Sequence, residues 1–126
     1  MSRTALTAHD RETYRRRLQE LTARLSGVVV QLEAEVSRPQ SSTGNDAPAH
    51  EADRAVRESE EVARTLLMSE EQLLSEATAA LGRLAGGTFG ACEHCGAPVA
   101  KTRLDVLPYT RTCARCAHKN EVHGSV

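Results

Sequence analysis

The four cysteines of this chain stand in two pairs, Cys92-Glu93-His94-Cys95 and Cys113-Ala114-Arg115-Cys116. That spacing predicts one tetrahedral zinc site: each C-x-x-C turn offers two sulfurs to the same ion, and residues 96–112 are long enough to fold back and bring the second pair opposite the first. Gly96 suits the first turn, because glycine takes positive φ without steric cost. The rival readings, two disulfides or a redox C-x-x-C, require a secreted context or a thioredoxin-like strand and helix around the motif. Phe89, Val99, Leu104, Val106, Leu107 and Tyr109 are the hydrophobic inventory of the segment from Thr88 to Asn120, too little for so short a piece to fold without metal. Four thiolates close the tetrahedron and leave no position for water or substrate, so one structural Zn2+ is expected. With no Ser/His/Asp grouping and no phosphate loop either, an enzyme is not.

Upstream of this module the chain reads as helix. Hydrophobic residues make up 40% of the sequence, yet Tyr14, Phe89 and Tyr109 are its only aromatics, which favours long aliphatic helices over a thick globular core. Leu18, Leu21, Leu25, Val28, Leu32 and Val36, with Val29 doubling the stripe, recur at steps of three and four. They predict a helix over about 10–38, roughly 45 Å long at 1.5 Å per residue, capped by Asp10 or Thr7 and ended by Pro39. Residues 39–50 form the expected tip loop, with Ser41, Ser42, Gly44, Asn45, Asp46 and Pro48 supplying turn chemistry. A second helix is expected over 51–85, carrying Val56, Val62, Ala63, Leu66, Leu67, Leu73, Leu74, Ala77, Leu81 and Leu84 and stopping at Gly86-Gly87.

Two single-seamed helices joined by a short polar loop bury their seams most simply against each other. The fold class that follows is mainly α, a long antiparallel two-helix coiled-coil hairpin over 1–87, then a small four-cysteine zinc finger over 88–120 and a tail over 121–126. A charge placed at Leu25 or Leu66 is expected to open that hairpin. The alternative is a seam that pairs with another chain.

Net charge is -1, unevenly spread: residues 46–87 hold nine acidic against four basic residues. Such a balance does not describe a dedicated DNA binder, and Arg11 with Arg15-Arg16-Arg17 reads as the solvated face of a helix. In the module, Lys101, Arg103, Arg111, Arg115 and Lys119 either offset the charge of four thiolates or form a patch for nucleic acid or an acidic partner. Met1–Asp10 shows neither a signal peptide nor a membrane span, and reduced thiols fit a cytoplasmic location.

The run from Gly87 through Thr88-Phe89-Gly90-Ala91-Cys92-Glu93-His94-Cys95 to Gly96, followed by Arg103-Leu104, Pro108 and Cys113-Ala114-Arg115-Cys116, resembles the zinc finger of the DksA/TraR family of bacterial transcription regulators. The preceding hairpin is similar to that of the longer, DksA-like members. The resemblance implies a regulator that binds bacterial RNA polymerase rather than a specific DNA sequence, with the hairpin in the secondary channel and acidic tip residues approaching the active centre; with its seam paired internally, the chain is expected to be a monomer. The tip residues the resemblance points to are Asp46, His50, Glu51, Asp53 and Ala55. Acidic groups there would perturb a metal-dependent nucleotidyl-transfer site; equally, they would cap the second helix.

The family's tip carries two aspartates three apart followed by alanine, whereas this chain has His50 three before Asp53, then Arg54 and Ala55. Where the family's alarmone site uses basic residues, this chain has Leu107 and Ala117, so a guanosine tetraphosphate site of that kind is not expected. Two other classes remain open: a zinc-ribbon nucleic-acid binder using Lys101, Arg103, Arg111 and Arg115, and a coiled-coil adaptor.

Overall fold

The computed structural model describes residues 6–37 and 50–124, with the side chains of 50–52 and 120–124 outside that description. Four helices follow one another: α1 (Ala8–Ser37), α2 (His50–Gly86), α3 (Lys101–Val106) and α4 (Ala114–Gly124). The fold is mainly α, two long packed helices followed by a C-terminal cluster of four cysteines. The expected tip loop falls almost entirely outside the described residues, and α2 is already helical at His50.

Thr7 and Asp10 share the start of α1. The Thr7 hydroxyl accepts from the Asp10 N–H, and the Asp10 carboxylate accepts from the Thr7 N–H, both at 3.0 Å. This reciprocal cap satisfies two backbone donors that a helix leaves open, and it starts α1 at Ala8. The Thr7 N–H, the larger influence, holds the Asp10 carboxyl below its ordinary range. At the far end of α2, Gly87 takes φ 84° and the Thr88 N–H bonds back to Arg83 O at 3.0 Å, a left-handed closure that glycine permits at no cost.

The chain forms two compact units, one of residues 1–22 with 75–126 and the other of residues 23–74. In the first, Leu18, Ala77, Ala80 and Leu84 form a buried cluster with Leu21, Leu81, Phe89 and Tyr109 against it. Ala77 and Ala80 are fully buried; their small side chains make room for Leu18 between close helix backbones. A second cluster of Tyr14, Cys92, Val99 and Leu104 lies beside it, with Leu6, Phe89, Cys113 and Cys116 packed on. Phe89 belongs to both.

In the second unit, Leu25, Val29 and Ala63 are buried and Leu32, Val36 and Leu67 half-buried. Here the expected seam needs correction. Val62 and Leu66 are 59% and 47% exposed, and Val56 is exposed too. Burial on α2 follows Ala63, Leu67, Leu74, Ala77, Leu81 and Leu84 in steps of three, four and seven, and Val62 and Leu66 sit one position to the side. No helix among the described residues is long and apolar enough to cross a membrane.

Candidate metal centre

Local backbone geometry delivers the four sulfurs. An isolated antiparallel bridge pairs Ala91 with Pro98, and the Cys92 N–H donates to Ala97 O at 2.8 Å. Gly96, at φ 76°, closes this turn with an N–H bond to Cys92 O at 2.9 Å, as its position in the sequence predicts. Cys113 precedes α4, whose start carries Cys116. Its sulfur lies 3.5 Å from the Cys116 N–H, where the positive end of the helix favours a thiolate. The Glu93 N–H donates to Arg111 O at 2.9 Å and ties the two cysteine turns together.

The ligand atoms of Cys92, Cys95, Cys113 and Cys116 all lie within 4.8 Å of one another, and none of the four is in a disulfide. A tetrahedron with Zn–S bonds of about 2.3 Å has sulfurs about 3.8 Å apart. The Cys95 and Cys113 sulfurs are 3.8 Å apart. The cluster is a site for one structural Zn2+.

Electrostatics at the sulfurs fits a cation. Burial alone would raise the Cys92 thiol, but N–H groups of Cys113, Cys95 and His94 outweigh it and bring the thiol down to about 6. Cys116 is pushed up to about 12, first by burial and then by the neighbouring thiols. Four thiolates this close repel one another, and a divalent ion relieves that repulsion.

Around the sulfurs runs a frame of charged side chains anchored on both long helices. Arg111 reaches Glu76 at 2.6 Å and Glu93 at 3.2 Å, and these carboxylates, Glu76 above all, raise its pKa. Arg83 donates to Tyr109 O and Thr110 O, each at 3.3 Å. Burial first, then the nearby Arg111, lowers its pKa. Arg103 binds Thr112 O at 3.0 Å and the Thr110 hydroxyl at 3.3 Å, and Lys101 pairs with Asp10 at 3.9 Å. Three of the four cations that suggested a nucleic-acid patch, Lys101, Arg103 and Arg111, are thus engaged within the protein.

Tyr14 is the largest side chain joining α1 to the module. Its hydroxyl donates to Asp105 at 2.5 Å, its ring packs against Phe89 at a 42° tilt with centroids 5.5 Å apart, and the Arg17 and Lys101 cations lie 5.8 and 6.0 Å from the ring centre. Tyr14 stands four residues before Leu18, in step with the stripe of α1; the period marks it as a buried position but not as the link to the module. Of the expected tip residues, Asp46 lies outside the described residues, as do the side chains of His50 and Glu51, while Asp53 and Ala55 are exposed on α2.

Residues 87–122 match the prokaryotic DksA/TraR C4-type zinc finger. This segment is a DksA/TraR zinc finger. The likeness extends to the helices. Transcription factor DksA2 from Pseudomonas aeruginosa superposes with a TM-score of 0.70 at 26% identity, over 96% of this chain and 90% of that one. The solution structure of DnaK suppressor protein from Agrobacterium tumefaciens C58 gives a TM-score of 0.59 at 27% identity, over 94% and 97% of the two chains. An uncharacterised protein of Aquifex aeolicus (strain VF5) is 40% identical over 62 residues, which is 49% of this chain and 43% of that protein. The DksA/TraR zinc finger is here set on a DksA-like transcription-factor fold.

Proposed function

We propose that the chain is a transcription regulator that binds bacterial RNA polymerase through the secondary channel, with the tip of the hairpin approaching the active centre. The observation that carries this reading is the near full-length likeness to transcription factor DksA2, which includes both long helices as well as the zinc finger. The zinc site holds the base of the hairpin through Tyr14, Arg83 and Arg111 and takes no part in chemistry. Reduced thiolates at that site accord with a cytoplasmic location.

At the tip, Asp46, His50, Glu51, Asp53 and Ala55 are the residues assigned to partner contact, and Asp53 is the acid placed to act on the active centre. The competing nucleic-acid reading is weakened by the internal ties of Lys101, Arg103 and Arg111. In a reconstituted transcription assay with bacterial RNA polymerase, Asp53→Asn is expected to retain polymerase binding and lose the effect on transcription. His50→Asp, which restores a second acid, is expected to strengthen it. An effect that survives Asp53→Asn unchanged would reduce this carboxylate to a helix cap, and absence of binding to core polymerase would overturn the reading itself.

A further inference from the structure

In the unit of residues 23–74, Val62 and Leu66 stand 59% and 47% exposed, one turn apart on α2, beside the half-buried Leu32 of α1. They floor a shallow groove between the two helices whose charged lining consists of Glu35 and Glu58, and they also line an adjoining hollow on α2 with Glu58 and Glu61; neither has a cation among its lining residues. None of these carboxylates forms an ion pair among the described residues. We propose that this groove docks an amphipathic helix of a protein partner, one with an apolar stripe at i, i+4 flanked by lysine or arginine.

Two considerations select that occupant. The apolar residues are spaced like a helix seam, so a third helix sets its own ridge into the groove with ordinary helix packing. The rim is acidic on both helices, so cations flanking that ridge meet carboxylates, whereas an acidic helix meets only like charge. The metal site takes no part, and of the expected tip residues only Ala55 lines the groove. The groove stands whether or not the chain binds polymerase.

The test uses the zinc-loaded full chain and a synthetic helical peptide of about five turns carrying a leucine stripe flanked by lysines, with a sister peptide in which glutamate replaces lysine. Amide shifts on titration are expected to centre on Leu32, Glu35, Glu58, Val62 and Leu66. Affinity is expected to fall as salt is raised and to be about tenfold weaker for the glutamate peptide. Val62→Ser with Leu66→Ser should abolish binding of the lysine peptide, and Glu58→Gln with Glu61→Gln should weaken it, both with helicity unchanged. Equal binding of the two peptides, shifts centred elsewhere, or no binding at millimolar peptide would overturn the proposal. So would a chain that dimerises in sedimentation and loses the dimer in the Val62→Ser, Leu66→Ser variant, which would assign the groove to a second copy.

Discussion

Tyr14 shows how one side chain joins parts of the chain that composition treats as separate. Its ring is almost fully buried and its hydroxyl is bonded to Asp105. Tyr14→Phe keeps the ring and removes only that bond. Asp105 is exposed and can turn to water, so the expected loss is about 1 kcal/mol, near the middle of the range for a single hydrogen bond; a denaturation midpoint measures it. Burial first, and then the bond to Asp105, push the phenol above its ordinary value of 10.0. A group whose pKa is raised by folding contributes its stability in full below the unfolded pKa and loses it as pH rises towards the folded one. Wild-type stability should therefore decline above about pH 10, and Tyr14→Phe should flatten that alkaline limb. Superimposable alkaline profiles would show that Tyr14 ionises equally well when folded.

At the scale of helices, the seam is narrower than the hydrophobic pattern of α2. Leu25 is 6% exposed and Leu66 is 47% exposed, so the two substitutions that the sequence makes equivalent are not. Leu25→Asp is expected to cost about 3 to 5 kcal/mol, as an unpaired charge in a buried seam does. Leu66→Asp should change stability by about 0.5 kcal/mol or less. Thermal melts of the two variants decide the matter. Ala80→Leu offers a converse check, since overfilling the space beside Leu18 should cost about 1 to 3 kcal/mol. Period alone could not separate Val62 from Ala63 or Leu66 from Leu67, because adjacent apolar residues lie about 100° apart on a helix and either can face a partner. Ala80 escaped notice for the opposite reason: a small residue carries a weak pattern signal even where close packing requires it. The ligand set was legible throughout, because C-x-x-C geometry is local, whereas the ties from Glu76, Arg83 and Tyr14 to the module depend on tertiary approach that no short window contains.

For the molecule as a whole, zinc governs one unit far more than the other. Removal of the ion, or Cys95→Ser or Cys113→Ser, is expected to unfold residues 88–119, Phe89 among them, and to release the side chains that rest on them, Tyr14 above all. Most of the far-ultraviolet helical signal should persist, since Leu25, Val29 and Ala63 pack without help from the module. Amide spectra before and after chelation, with a metal assay showing one zinc per chain, provide the measurement. An unchanged spectrum for residues 88–119 would exclude a structural ion. The bond between Tyr14 and Asp105 joins residues 91 positions apart, and order of synthesis gives that separation a further meaning. As the chain leaves the ribosome, the apolar face of α1 near Tyr14 emerges well before Asp105, 91 residues further on, and before Cys113 and Cys116, later still. Non-local closure of this kind is slow and leaves apolar surface uncovered while it waits. Truncated or zinc-starved nascent chains should consequently be prime clients for chaperones and proteases, so cellular metal supply would set how much of the protein accumulates.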